Sequence, residues 1–153
     1  LAGTGTERLA IGSRLGATHT VDMAECDTAT RIREALDGRG ASVVLVCGTT
    51  ARDLDLAIEV VGTEGRIVVE GHFAPHVTVR LSPFQLLVAR SVILRANRGF
   101  MTPDYTQAHQ MLSNGIVEVM QLISSRHVLE DWESAFEAFT DEGGNTVQTL
   151  IIP

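Results

Sequence analysis

The chain has 153 residues, of which 44% are hydrophobic, 20% charged and 5% aromatic, a composition typical of one folded soluble domain. All twelve basic residues are arginine, and 19 acidic residues bring the net charge to -7, which argues against nucleic-acid binding. The longest apolar runs, such as residues 43–47, are far below the roughly 20 residues that a membrane-spanning helix requires.

Helix and strand signals alternate along the chain, a rhythm that favours a parallel sheet wrapped by helices. The first helix is predicted over residues 6–15, where apolar positions recur at helical spacing and Gly16 offers a left-handed stop. A short strand is predicted at residues 19–22. A second helix begins at residue 27 or 28 and ends at residue 36.

The middle of the chain carries the strongest strand signals. A continuous apolar run at residues 42–47 predicts a strand that is buried on both faces of the sheet. Residues 51–61 place four apolar side chains on one helical face, and a turn at residues 62–65 leads into a strand at 66–70.

Further elements are predicted beyond this region. A short helix is expected at residues 82–88, followed by a strand at 91–96 with which the main sheet ends. In the rest of the chain, helices are predicted at 103–112 and 131–139, and short strands are predicted at 122–123 and 146–152.

Small residues follow three of the predicted strands, at Cys47 and Gly48, at Gly71, and at Ala96 and Asn97. The carboxyl ends of the strands are where open α/β sheets bind ligands, and glycine lets a ligand approach the backbone. Taken alone, each glycine is equally well explained as a turn residue. Their recurrence at successive strand ends favours a ligand site.

The first predicted helix is preceded by Gly3 and Thr4, which match no complete phosphate-binding motif. They occupy the place where a dinucleotide-binding fold usually has an acid for the adenosine ribose hydroxyls. Without that acid a 2′-phosphate meets no repulsion, and Arg8 is positioned to pair with it. NADP is therefore slightly favoured over NAD, although Arg8 also fits a solvated helix residue.

The residue pattern gives little support for a disulfide framework, a metal site or a hydrolase. Cys26 and Cys47 have no CxxC motif and no His at metal-ligand spacing, so neither a disulfide framework nor a zinc site is predicted, and a cytoplasmic location is expected. His72 and His76 come nearest to a metal-binding pair, but they flank Pro75 in a predicted loop. No GxSxG motif is present to support a hydrolase.

The order of segments resembles the C-terminal half of the zinc-containing medium-chain alcohol dehydrogenase family. The ordered set with its spacings carries the resemblance, and together the segments cover nearly all of the chain. They are residues 8–9 through 14–22 (ending in RLGATHTVD), 37–44 (DGRGASVV), 65–71 (GRIVVEG) and 122–131 (LISSRHVLED) leading to 135–136.

The resemblance implies an α/β fold: a Rossmann-like doubly wound parallel sheet that lacks its first strand and its glycine fingerprint. Residues 1–120 would form this incomplete dinucleotide-binding domain, and residues 121–153 a segment that returns to a catalytic domain absent from the chain. In strand order 3-2-1-4-5-6 the missing strand lies between the strand at the N-terminus and the strand at 42–47.

The same resemblance implies roles for individual residues. Gly3, with Thr4 beside it, falls where the family often has its ribose-binding acid, and Arg8 where a basic residue often lies near the adenosine. Gln148 replaces the Lys or Arg that commonly faces the pyrophosphate, which weakens that contact. Of the remaining candidates, Cys47 and Gly48 fall beside the adenosine, Gly71 and His72 near the nicotinamide, and Ala96 and Asn97 at the carboxamide.

In such enzymes a hydride passes between an alcohol or carbonyl substrate and NAD or NADP, while zinc polarises the substrate oxygen. The family's zinc ligands would precede Leu1, which is not a Met and suggests an upstream beginning, so the chain alone is expected to be inactive and to hold no metal. A homodimer or tetramer through the strand at 91–96 is expected. A non-catalytic doubly wound binding or assembly module stays open as the alternative function.

Overall fold

Helices and strands alternate through the residues that the computed structural model describes, which are 1–25, 27–97, 99–140 and 146–153. The α-helices are α1 (Thr6–Arg14), α2 (Thr28–Ala35), α3 (Ala51–Val60), α4 (Thr102–Ser113) and α5 (Trp132–Thr140). The strands are β1 (Ala2–Gly3), β2 (Val21–Asp22), β3 (Ala41–Val46), β4 (Val61–Val69), β5 (Ile93–Ala96), β6 (Ile123–Val128) and β7 (Gln148–Ile152), with short π or 3₁₀ turns at Phe84–Val88, Val119–Leu122 and Leu129–Asp131.

The chain divides into two compact units. The terminal unit consists of Leu1–Cys26 with Phe100–Pro153, and the central unit consists of Asp27–Gly99. The expectation that Cys26 joins no disulfide or zinc site falls on a residue outside the described ones. No helix in the described ranges is long and apolar enough to cross a membrane.

All strand pairs of the described residues are parallel, as the alternation of helix and strand signals predicts. The central unit holds a sheet of order β3-β4-β5, and the terminal unit holds the pairs β1-β2 and β6-β7.

Helix α1 follows its prediction closely. It spans Thr6–Arg14, and Gly16 has the predicted left-handed conformation with φ 105°. The N-cap is Gly5, which has no side chain to bond the first turn. Strand β2 is shorter than predicted, since only Val21 and Asp22 pair, opposite Ala2 and Gly3.

The core of the central unit lies between α3 and β4. Ile67 is completely buried at its centre, and Ala57 of α3 and Leu86 of the π turn are 2% and 1% exposed. Helix α3 matches its predicted span because its apolar residues share one face and Thr50 and Asp53 form a capping box. Apolar burial of this kind supplies most of the stability of a small unit.

The expectation that the strand at 42–47 is buried on both faces is wrong. Val46 is 4% exposed and packs in the core, but Val43 and Leu45 are 49% and 63% exposed. Successive side chains of a strand point to opposite faces, so only the face that carries Val46 is covered. A run of apolar residues cannot show from sequence whether both faces find a partner.

The predicted turn at 62–65 lies inside β4, which runs from Val61 to Val69. Ala41 pairs with Val61 but Val43 pairs with Arg66, so the register with β3 slips across this segment. The segment therefore forms an irregularity within the strand, where Glu64 has a positive φ of 58°, rather than a turn before the strand.

In the terminal unit, α5 packs against both β6 and β7. Side chains of β6 alternate between half-buried and exposed, and the half-buried Ser125 donates a hydrogen bond of 3.1 Å from its Oγ to Thr149 Oγ1. At the start of α5, a hydrogen bond from Ser134 and a weaker contact with His127 lower the pKa of the Asp131 carboxyl. These contacts connect β6 to the helix that covers it.

Candidate functional site

The carboxyl ends of β3, β4 and β5 lie at one edge of the central sheet. Val46 pairs with Val69, and Val69 pairs with Ala96, so the last residues of the three strands stand in one row. Cys47, Glu70 and Asn97 follow them directly in the chain. Parallel strands in register end on the same side of a sheet, so the residues that follow these three strands lie side by side.

Gly48 lies against the first turn of α3. The Asp53 carboxylate accepts hydrogen bonds from the backbone N–H of Thr50 at 2.8 Å and from its hydroxyl at 2.6 Å. A Cβ on Gly48 would lie 2.3 Å from Asp53 Cγ. A larger residue at position 48 would therefore displace this carboxylate and disrupt the capping box.

Gly71 approaches the chain even more closely. A Cβ at this position would lie 1.8 Å from the backbone oxygen of Gly48. The N–H groups of Glu70 and Gly71 both donate to the Val46 carbonyl at 2.9 Å, which holds β4 against the end of β3. Both glycines thus have a packing role, because protein atoms occupy the space that a Cβ at position 48 or 71 would take.

Asn97 is joined to β4 by two hydrogen bonds. Its backbone N–H donates to the Val69 carbonyl at 3.3 Å, and its Nδ2 donates to Glu70 Oε1. Ala96, Asn97, Cys47 and the neighbouring His72 are all exposed. Glu70 was not among the sequence candidates, and the available signal was an acid at the end of an otherwise apolar strand.

The remaining candidates lie in the terminal unit. Gly3 ends β1, Thr4 follows it, and Arg8 lies in α1 with its Nη2 donating to the Thr146 backbone oxygen at 2.8 Å. A Cβ on Gly3 would meet only Leu9 Cδ2, at an ordinary 3.7 Å. Packing therefore does not exclude an acidic side chain at position 3.

Gln148 begins β7 opposite Ile123, with its side chain exposed. The hydrogen bond from Arg8 reaches Thr146, two residues earlier in the chain. The structure therefore gathers six candidates at the edge of the central sheet, and places Arg8 next to the segment that leads into Gln148.

A groove of about 500 Å³ lies at the C-terminal end of α3, away from the strand ends. Arg90 donates to the backbone oxygens of Ile58 and Val61, both at 3.1 Å, and Arg33 donates to that of Glu59. Cations at a helix C-terminus complement its dipole and satisfy its free carbonyls. We therefore assign these arginines a structural role.

Among the described residues no group of three or more His, Cys, Asp or Glu side chains could hold a metal ion. The two nearest candidates from sequence, His72 and His76, are both exposed and lie in the loop after β4. The cofactor candidates are thus backbone groups, glycines and neutral or singly charged side chains.

Comparison with known proteins shows the family to which this chain belongs. The family model described as zinc-binding dehydrogenase matches residues 2–114. A sorbitol dehydrogenase from Halalkalibacterium halodurans is 23% identical over 147 residues, which are 95% of this chain and 41% of that protein. The chain therefore spans about two fifths of the length of this relative.

Solved structures agree in fold. A Sinorhizobium meliloti protein assigned as a zinc-binding dehydrogenase and bound to NADP has a TM-score of 0.88 at 22% identity, over 100% of this chain and 44% of that one. An E. coli alcohol dehydrogenase complexed with NADH has a TM-score of 0.85 at 15% identity, over 99% and 43% of the two chains. The α/β Rossmann-like fold and the resemblance drawn from the sequence are confirmed.

Proposed function

Because the chain belongs to the zinc-binding dehydrogenase family, we propose that it is the nicotinamide-cofactor-binding and C-terminal part of an alcohol dehydrogenase-like oxidoreductase. The reaction would transfer a hydride between NAD or NADP and a small alcohol or carbonyl substrate in the cytoplasm. The observation that carries the proposal is the row of strand ends at Val46, Val69 and Ala96, because open α/β sheets bind their ligands at the carboxyl ends of the strands.

At this edge we assign the nicotinamide to the neighbourhood of Gly71 and His72, and its carboxamide to Ala96 and Asn97. Cys47 and Gly48 are assigned to the adenosine side of the same edge. Backbone groups and exposed polar side chains suit this task, since they orient the ring without filling its space.

In the terminal unit we assign Gly3, Thr4 and Arg8 to the adenosine ribose and its 2′-phosphate, and Gln148 to a weak pyrophosphate contact. The guanidinium of Arg8 has five N–H donors, so the bond to Thr146 leaves donors for a phosphate. We propose residues 1–120 as the cofactor domain and 121–153 as the segment that contacts the substrate-binding part. The described residues offer no ligand set for zinc, and no step is assigned to it.

Cofactor titration tests the proposal. We expect NADPH and NADH both to bind saturably, with NADPH bound more tightly, as followed by nicotinamide fluorescence. Cys47 is an exposed free thiol at the proposed site, so either cofactor should also slow its alkylation. Absence of saturable binding, together with unchanged alkylation of Cys47, would contradict the proposed function.

We also propose that β5, an outer strand of its sheet, forms the interface of a homodimer or one interface of a tetramer. β5 is the last strand of its sheet, and its Ile93 and Leu94 side chains are 57% and 40% exposed. Two such edges can pair isologously and satisfy their free backbone groups.

Ile93→Lys should therefore halve the mass of the assembly measured by light scattering, because a charge on the edge opposes pairing. Leu81→Lys is the matched control, since Leu81 is 40% exposed, as is Leu94 of β5, but lies in a loop outside the edge. An equal mass for the two variants would exclude β5 as the interface.

A further inference from the structure

Glu70 is an acidic residue held between the ends of two strands at the proposed nicotinamide edge. It follows the last residue of β4, and its backbone N–H donates to the Val46 carbonyl at 2.9 Å. Its side chain is half-buried and accepts a hydrogen bond from Asn97 Nδ2, at the end of β5. This hydrogen bond holds the carboxylate beside Asn97, next to Gly71 in the chain.

The chemistry of this pair settles which way the Asn97 amide points. A carboxylate only accepts hydrogen bonds, so the atom of Asn97 that contacts it is the NH₂ group. The amide oxygen Oδ1 is then an acceptor available to a ligand donor. An acceptor at this position suits the N–H groups of a carboxamide.

The hydrogen bond from Asn97 does not neutralise the negative charge of Glu70. A neutral amide donates one hydrogen bond to the carboxylate but brings no positive charge. Glu70 forms no ion pair with another residue that the structure describes. The edge therefore carries a fixed negative charge beside the glycine that we assign to the nicotinamide.

We propose that Glu70 makes this site prefer the oxidised form of the cofactor. This inference rests on the proposed function, which places the nicotinamide ring beside Gly71. The ring carries a positive charge in NAD⁺ and NADP⁺ and none in NADH and NADPH. Phosphates and riboses are the same in both forms, so the difference between their affinities isolates the interaction of the ring with Glu70.

The experiment compares dissociation constants of NADP⁺ and NADPH for the purified protein and for Glu70→Gln. NADPH is followed by its fluorescence, and NADP⁺ by its displacement of NADPH. We expect Glu70→Gln to weaken NADP⁺ binding by roughly three- to tenfold relative to NADPH, the effect of one charge in partly solvated surroundings. Glu64→Gln is the matched control, because Glu64 is an exposed acid in the same strand but near its other end.

Two further variants keep the inference testable if Glu70→Gln is unstable. Glu70→Asp retains the charge and should preserve the preference of the wild type. Asn97→Asp adds a second carboxylate and should strengthen the preference for NADP⁺. The same ratio in wild type, Glu70→Gln and Asn97→Asp would overturn the role of Glu70 while the proposed cofactor site stands. If the wild type binds neither NADP⁺ nor NADPH, the proposed function is wrong, and the role proposed for Glu70 is wrong with it.

Discussion

Replacing Gly71 with alanine should destabilise the protein by about 3 kcal/mol and abolish tight cofactor binding. The added Cβ would lie 1.8 Å from the Gly48 oxygen and 2.8 Å from its carbonyl carbon, and both are backbone atoms that no rotamer change can move. The ends of β3 and β4 would have to separate, which breaks the paired hydrogen bonds to Val46. Urea unfolding measures the loss of stability, and NADPH fluorescence the loss of binding.

Gly12→Ala is the matched control for this change. Gly12 lies within α1, and a Cβ there would meet only the Leu1 side chain, 2.2 Å from its Cδ2. Leu1 is 62% exposed and can turn aside, and alanine is favoured over glycine in a helix by about 1 kcal/mol. We expect Gly12→Ala to be neutral or stabilising. Equal unfolding midpoints for Gly71→Ala and the wild type would show that the strand ends do not require glycine.

The position of this edge was predictable from sequence because it depends on order alone. Parallel strands joined by helices end on one side of the sheet, so residues after each strand meet whatever the details of packing. Cys47, Gly71 and Asn97 were found in this way, and the register of β3, β4 and β5 brings them together.

The packing reason for the two glycines was not predictable. The contact between Gly71 and Gly48 depends on how far the chain travels after β3 and β4, and no residue pattern encodes that distance. Glu70 was missed for a related reason. An acid that follows the apolar residues 67–69 looks like a solvated residue in the sequence, and only the pairing with Asn97 distinguishes it.

The exposure of one face of β3 was also not predictable from the sequence. Apolar residues recur without a break through this strand, which favoured burial on both faces. Val43 and Leu45 are nevertheless exposed, because burial of a strand face requires a second element to cover it. Sequence records which residues prefer burial but not whether a partner is present.

In the proposed function, the choice between NAD and NADP depends on Gly3, a position where packing does not require glycine. A Cβ on Gly3 would lie at an ordinary contact distance of 3.7 Å from Leu9. The backbone of Gly3 also does not have a positive φ, so it does not require glycine. A Cβ at this position therefore fits. Glycine leaves the place beside the proposed 2′-phosphate free of negative charge, while Arg8, in the first turn of α1, supplies a cation.

Arg8→Gln should accordingly weaken NADPH binding more than NADH binding, since only NADPH carries the 2′-phosphate. Arg14→Gln, in the last turn of the same helix, removes the same charge without affecting the proposed phosphate site. This comparison separates a local contact from the general attraction between arginines and a cofactor rich in phosphate.

Gly3→Asp is the change with the largest expected effect on cofactor choice. The carboxylate would accept hydrogen bonds from the two ribose hydroxyls of NADH and repel the 2′-phosphate of NADPH. We expect the ratio of the two dissociation constants to move toward NADH by about 100-fold, equivalent to about 3 kcal/mol. Ser13→Asp adds the same charge to an exposed position of α1 and should leave the ratio unchanged. If Gly3→Asp and Ser13→Asp shift the ratio equally, the ribose does not bind beside Gly3, and the preference must be set elsewhere.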